Sequence, residues 1–304
     1  MSRILVTGAS GFVGAAVADL AAREGHQVTA LVRNPSSPRA VSLAERCDIA
    51  VADLSNRDSV RAVLSEARPD YVIHSAWEGV GGPDRAGDIQ LDNIRTTVDL
   101  LDSAIAAGAR RFIGIGSQAE YGRHDRRIDE NAATQPFLLY GAAKLSACHL
   151  TRQRASEAGI GFAWLRLFSP YGPGDNPNWL IPSVAAQILA CQAPRTSAGT
   201  QKWDYLHIDD CAQGILATAV TENAHGVFNL SSGRAVTVRS IVERLRDLAC
   251  PGLPLTFGEI PFGPNQIMHL EGDCSRLIAA TGWTPHIMIE DGLATVVESL
   301  RQAA

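Results

Sequence analysis

Tyr140 and Lys144 stand four residues apart in the helix-compatible run Leu139-Tyr140-Gly141-Ala142-Ala143-Lys144. Four residues make about one helical turn, so the phenol and the amine share a face. A nearby ammonium favours the phenolate and lowers a tyrosine pKa from its reference of about 10, which is what proton exchange near neutrality asks of a hydroxyl. Taken alone, the pair more readily describes a packed Tyr beside a solvated Lys. Its surroundings must decide.

The elements around the pair are those of a nucleotide-binding α/β protein. Arg3 to Thr7 is a short β-branched and aliphatic run, followed by Gly8-Ala9-Ser10-Gly11-Phe12-Val13-Gly14 and an alanine-rich amphipathic segment ending near Glu24-Gly25. Glycines at 8, 11 and 14 between a strand and a helix allow a tight turn, close approach of backbone to a pyrophosphate, and close helix–strand packing. Further strands are expected at Gln27–Val32, Asp48–Ala52, Tyr71–His74 and Arg111–Ile115. Helices are expected from a capping box at Ser55-x-x-Asp58 to about Ala67, and from about Asp88 to Ala107. This alternation predicts a doubly wound parallel sheet with its site at the carboxyl ends of the strands, where Ser117 and the Tyr140 helix both lie. The second strand ends in Leu31-Val32-Arg33-Asn34, without the acid that holds the ribose of NAD. A guanidinium there suits a 2′-phosphate, so NADP is expected, with NAD as the alternative.

From Ser169 to Asn178 a turn-rich stretch breaks the alternation, and the order beyond it is mixed. A helix is expected near Ile181–Cys191, a strand at Trp203–Ile208, a helix opening at Asp209-Asp210, a strand at Val227–Leu230, and a last helix from about Ile289. Residues 1–168 with about 204–232 are therefore expected to form the dinucleotide-binding unit. Residues 169–203 and 233–304 form a smaller, interleaved substrate lobe. The chain has 304 residues, 46% hydrophobic and 19% charged, with a formal net charge of -5, giving no basic footprint for nucleic acid. It has no run of some eighteen apolar residues for a membrane span and no signal-peptide pattern at its start, so a cytoplasmic location is the default expectation. Six cysteines without C-x-x-C or matching His spacing suggest neither a metal site nor a disulfide framework.

With TGASGFVG, Asp53-Leu54, HSAW, Asn93, GSQAEYG, YGAAK, LRLFSPYGPG and WDYLHIDD in this order, the chain resembles the extended short-chain dehydrogenase/reductase family, also called the NAD-dependent epimerase/dehydratase family. The resemblance implies that Ser117, Tyr140 and Lys144 are the catalytic triad. It implies that Gly8, Ser10, Gly11, Phe12, Val13, Gly14, Arg33, Asp53, Leu54, Ala76, Asn93 and Phe168, together with Tyr140 and Lys144, line the cofactor. Ser117 would hydrogen-bond the reacting oxygen, Tyr140 would pass the proton, and Lys144 would orient the nicotinamide ribose while lowering the tyrosine pKa. Trp77, Gln118, Ser169, Trp203 and Asn265 are the expected substrate contacts. A homodimer paired through the helices carrying Asn93 and Tyr140 is expected on the same ground.

Departures from the family's patterns narrow the reaction. Relatives that perform 4,6-dehydration carry Thr-Asp-Glu where this chain has Ser117-Gln118-Ala119, so that elimination is not expected; Glu120, displaced by one residue, should point elsewhere. Nucleotide-sugar relatives often have Asn at the place of Ser169 and a diphosphate-binding Arg at the place of Trp203. Lys202, or a stacking Trp203, are the substitutes on offer, with packing as Trp203's other reading. Phe262-Gly263-Pro264-Asn265-Gln266 likewise replaces an Arg-Pro-Gly-Asp-like segment. The resulting expectation is NADPH-dependent reduction of a keto group on a nucleotide-activated deoxysugar. A nucleotide-sugar 4-epimerase with bound NAD is the first alternative, and a non-catalytic NADP-sensing protein the alternative of another class.

Overall fold

The structure is a computed structural model that describes residues 1–303. Seven parallel strands form the main sheet, in the spatial order Gly226–Leu230, Gly161–Leu167, Arg111–Ser117, Tyr71–His74, Arg3–Thr7, Gln27–Val32 and Asp48–Val51. The chain winds outward from Arg3–Thr7 in one direction, then restarts at Tyr71–His74 on its other side. That reversal leaves a crevice beyond the strand carboxyl ends, which is where an open α/β sheet takes its ligand.

Both faces of the sheet are covered, as nearly continuous aliphatic strands require. On one face Ile4, Val6, Ile73, Ile113 and Leu165 pack with Val17 and Ala18 of the helix Phe12–Arg23 and with Ile215 of Ile208–Val220. On the other, Leu5, Val72, Phe112 and Trp164 pack with Leu64, Leu100, Leu101 and Ala147 of the helices Arg57–Ala67, Ile89–Ala106 and Leu139–Ala158. The helix Arg57–Ala67 starts one residue later than the Ser55 capping box predicts. Asn56 caps it by accepting from the Ser59 N–H at 3.1 Å, and Ser55 is taken up by the Asp53 carboxylate instead. A short helix at Pro38–Leu43 has no counterpart in the sequence reading.

A four-stranded sheet of Ala235–Thr237, Lys202–Asp204, His269–Gly272 and Arg126–Ile128 sits beside the strand ends, with a two-stranded pairing of Leu206–His207 and Pro170–Tyr171. The expected strand Trp203–Ile208 is thus two strands, the second running directly into the helix from Ile208. Arg126–Ile128, early in the chain, joins the late strand His269–Gly272, while Gly226–Leu230 returns to the main sheet. This interleaving supports the two-lobe division, which we propose as an organisation of one packed body.

Candidate active site

Strand ends, glycine turn and smaller lobe enclose a cleft of about 1140 Å³. Its floor is the turn after Arg3–Thr7. Gly8 has φ +67°, and a Cβ there would stand 2.7 Å from the Ala76 nitrogen, so both the conformation and the contact with the neighbouring strand end demand glycine. A Cβ on Gly14 would lie 2.3 Å from the Gly8 carbonyl oxygen; Gly14 seats the helix against the turn and does not line the cleft. The helix Phe12–Arg23 begins at Gly11 with no side-chain cap and no acid in its first turn. Its leading N–H groups therefore meet the cleft at the positive end of the helix dipole, which fits a pyrophosphate.

The wall above the turn is ordered by a buried hydrogen-bond chain. The Ala76 N–H donates to Thr7 Oγ1 at 3.3 Å, Thr7 Oγ1 meets His74 Nδ1 at 2.8 Å, and His74 Nε2 meets Thr97 Oγ1 at 2.9 Å. Thr97 spends its own proton on the Asn93 carbonyl at 2.7 Å, so its oxygen accepts from Nε2–H and His74 is the neutral Nε2–H tautomer. Burial, with the Lys144 charge adding to it, pushes the His74 pKa down from 6.5 to about 3. Between those values the unfolded chain binds a proton that the folded one refuses, so this group's contribution to stability falls as pH drops from 6.5 towards 3, by up to about 1.4 kcal/mol per unit. Asp175 and Asp204, both raised to about 6 by burial, act in the opposite sense over part of that window. Urea titrations at pH 7 and 4.5 should accordingly show a larger acid loss in wild type than in His74→Asn, measured as the difference between the two proteins; equal losses would contradict the neutral buried imidazole.

Asn93 holds the loop that follows. Its amide exchanges two 3.0 Å hydrogen bonds with the backbone of Glu78. Fully buried Gln90 donates to the carbonyls of Glu78, Gly79 and Asp84 and accepts from Trp77 Nε1 at 2.8 Å. Asn93 lines the cleft, with its amide already committed to that loop. Asp53, Leu54, Ser10, Phe12, Val13 and Ala76 line the same half. Ser55 holds the Asp53 carboxyl below its usual range by hydrogen bonds from hydroxyl and backbone. Arg33 also faces the cleft and is ion-paired with Glu78, a residue that sequence reasoning passed over.

Ser117, Tyr140 and Lys144 converge at the centre. Ser117 ends its strand and caps a short 3-10 turn over Gln118–Glu120. The helix carrying Tyr140 butts against that turn, and a Cβ on Gly141 would stand 2.3 Å from the Ala119 carbonyl oxygen. The neighbouring Ser117 hydroxyl and the Arg85 guanidinium both pull the phenol's pKa down, but burial is the larger influence and raises it. This corrects the expectation that Lys144 lowers the phenol. Lys144 instead donates to the Ile115 carbonyl at 2.6 Å, lies 3.7 Å from the centre of the Trp77 ring, and is itself pushed down to about 7 by burial. Only about half charged at pH 7 and already bound to the Ile115 carbonyl, it is not among the groups that shift the phenol.

Glu120 does point elsewhere, into the protein. It is fully buried, accepts from the Ser117 N–H and from Trp164 Nε1 at 2.9 Å each, and pairs with Arg166 at 2.8 Å. Gly114 and Gly116 make room for the Trp164 ring, since a Cβ on either would stand within 2.2 Å of it.

The far half of the cleft is lined by Trp77, Gln118, Ser169 and Trp203, and also by Arg85, Asp175, Trp179 and Tyr205, which sequence reasoning missed. Trp203 Nε1 donates to Ser169 Oγ at 2.6 Å, so these two expected substrate contacts are partners of each other. Besides Gly14, two expected residues lie outside the cleft. Phe168 is fully buried against Tyr121, Ile128 and Leu270 beneath the cleft, and Asn265 is exposed on a loop outside it. An aromatic side chain behind a strand end is sequestered by packing, and the exposed Pro264 loop contributes no residue to the cleft lining.

Comparison with known proteins agrees with this geometry. The profile of the NAD dependent epimerase/dehydratase family matches residues 4–231. The chain belongs to that family. Among the relatives of this epimerase/dehydratase family member, a UDP-glucose 4-epimerase of Corynebacterium glutamicum is 30% identical, with 97% of this chain and 94% of the relative covered. A GDP-6-deoxy-D-mannose reductase of Pseudomonas aeruginosa is 29% identical over 97% and 96% of the two chains. The structure of a UDP-glucuronic acid 4-epimerase from Bacillus cereus, in complex with UDP-glucuronic acid and NAD, superposes with a TM-score of 0.87 at 25% identity, covering 99% of each chain. Fold and family are those of NAD(P)-dependent oxidoreductases and epimerases of the extended short-chain type. A nicotinamide cofactor is the group that the glycine turn and helix end are shaped to hold.

Proposed function

We propose that this protein reduces a keto group on a nucleotide-activated deoxysugar at the expense of NADPH. The observation that carries the reading is the burial of the Tyr140 phenol beside Ser117, which favours the neutral form of the hydroxyl. A phenol whose pKa is raised by burial is ready to give a proton to a carbonyl, whereas an epimerase must first take one from a hydroxyl. Gln118 supports a polyol substrate, because its Oε1 is a buried acceptor without a protein partner beside the triad and calls for a substrate hydroxyl. Relatives named as GDP-6-deoxy-D-mannose reductase and dTDP-4-dehydro-6-deoxyglucose reductase are consistent with this class of work.

Gly8, Gly11 and the first turn of Phe12–Arg23 would hold the pyrophosphate, Asp53 and Leu54 the adenosine end, and Tyr140 and Lys144 the nicotinamide ribose. Bound there, the cofactor supplies the hydride. Ser117 hydrogen-bonds the carbonyl oxygen and stabilises the charge that grows on it; Tyr140 delivers the proton to the same atom. NADPH consumption with a panel of nucleotide 4-keto-6-deoxysugars tests the proposal. Interconversion of two sugars with no net consumption would replace it by the NAD-dependent 4-epimerase. For the cofactor, Arg33→Ala is expected to raise the KM for NADPH about 10- to 100-fold with little change for NADH, the worth of one or two charge-assisted hydrogen bonds. Because Glu78 competes for that guanidinium, Glu78→Gln should shift preference further towards NADPH; an unchanged NADPH/NADH ratio in both variants would defeat the NADP assignment.

We also propose a homodimer through the helices Ile89–Ala106 and Leu139–Ala158, on which Leu91 and Leu150 are 53% and 50% exposed. Leu150→Glu is expected to halve the mass found by sedimentation; a wild-type monomer at micromolar concentration would end the idea.

A further inference from the structure

The substrate half of the cleft is short of positive charge. Five cations line the cleft among the described residues, and four of them are spoken for or stand at the cofactor end. Arg33 pairs with Glu78. Arg39 donates to the carbonyls of Ser10 and Gly174 and lies 5.9 Å from the Phe12 ring centre, at the pyrophosphate end. Arg95 makes no ion pair among the described residues, but it stands one helical turn before Asp99, which pairs with Arg57 just after Asp53-Leu54, and so belongs to the adenosine side. Lys144 is buried and bound to Ile115.

Arg85 is different. Its guanidinium carbon lies 4.3 Å from the centre of the Tyr140 ring, and its hydrogen bond is to the Val80 carbonyl at 3.0 Å. Among the described residues it makes no ion pair, and its one hydrogen bond leaves most of its five N–H donors without a protein partner at the cleft wall. The segment that carries it is firmly placed. Gln90 ties three carbonyls of residues 78–84, and Gly79 and Gly82 take the positive φ values of +66° and +63° that its turns need. Gly81 meets the smaller lobe, since a Cβ there would stand 3.0 Å from the Trp179 ring, so Arg85 hangs from the roof that joins the two lobes. The wall opposite contributes Asp175, with Trp203 and Ser169 satisfied by each other.

We propose that Arg85 is the anion-binding residue of the substrate site and takes the diphosphate of the nucleotide-linked substrate from the larger lobe's loop. An arginine fork offers a phosphate two parallel hydrogen bonds, and this one holds its ligand within a few ångströms of the proton donor. The inference rests on the reading of the substrate as a nucleotide sugar, and it fixes which group anchors that substrate.

Calorimetric titration of the NADP⁺-loaded protein with UDP, GDP and dTDP tests it, with galacturonate as a carboxylate source for the same fork. Wild type is expected to bind at least one diphosphate, Arg85→Gln to weaken that binding about 10- to 100-fold, and Arg85→Lys to recover part of it. NADP⁺ affinity should be the same in all three proteins. Equal diphosphate binding by Arg85→Gln, no diphosphate binding by wild type, or tighter binding of galacturonate than of any diphosphate would each overturn the assignment. The two readings fail separately. Arg85-dependent diphosphate binding without turnover of any keto sugar would refute the reductase and leave the anion site standing, while turnover indifferent to Arg85→Gln would do the reverse.

Discussion

Replacing Tyr140 by Phe is expected to lower kcat by a factor of about 10² to 10⁴, the usual worth of a positioned general acid, while the Kd for NADPH stays within about threefold. The change removes one oxygen and leaves the ring, so its edge contact with Trp77 and the Arg85 guanidinium above it persist. Ser117→Ala should cost about 10² to 10³, the price of one donor to a developing oxyanion. The pH dependence separates the neighbours. Tyr140 must be protonated to act, and burial raises its pKa, so kcat should hold through neutrality and fall only on the far alkaline side. Lys144, down at about 7, loses its charge earlier. If the ammonium orients the ribose, kcat/KM for NADPH, which reports the free enzyme, should decline above pH about 7 before kcat does. A Tyr140→Phe protein with wild-type turnover would remove the phenol from the mechanism altogether.

What the sequence made legible was what short patterns encode. The turn Gly8–Gly14 declares itself because φ and the crowding against Ala76 allow only glycine at 8, and the Gly8 carbonyl allows only glycine at 14, and these demands are local. The strands Gln27–Val32 and Tyr71–His74 are bounded as their aliphatic runs are, since strands buried on both faces must be apolar throughout. Tyr140 and Lys144 share a face by helical geometry, and Ser117 reaches them because its strand ends where their helix begins. Spacing could place the ammonium near the phenol. It could not show the Ile115 carbonyl and the Trp77 ring claiming that ammonium first.

The substrate half was read less well, because it is made by contacts between distant segments. Arg85 enters the site only through a loop folded back by Gln90, a glutamine that carries no motif. Trp203 and Ser169, expected to wait for substrate, are 34 positions apart and bonded to each other. Phe168 follows a strand residue that lines the cleft, and one step along an extended chain reverses the side-chain direction, which put it in the core. The glutamine's orphan oxygen at 118 and the pairing of Arg33 with Glu78 had no sequence signal beyond the residue types themselves.

Glu120→Ala should be the most destabilising single substitution near the site, at about 3–5 kcal/mol in chemical denaturation. The carboxylate is fully buried, and its removal strands three donors at once: the Arg166 guanidinium, the Trp164 indole and the Ser117 N–H. An unpaired buried cation is the dominant cost, because the pair's attraction offsets a desolvation penalty that does not vanish with the partner. That argument predicts a rescue. In the Glu120→Leu, Arg166→Met double variant no charge is left behind, so most of the lost stability should return although both side chains of the pair are gone. Activity should not return with it. The Ser117 turn would still lack the acceptor that anchors its backbone N–H, and the hydroxyl set opposite Tyr140 would be free to wander by the fraction of an ångström that proton transfer does not tolerate. A double variant as unstable as Glu120→Ala would show that the three hydrogen bonds outweigh the stranded charge; one both stable and fully active would show that the turn holds Ser117 without help from beneath.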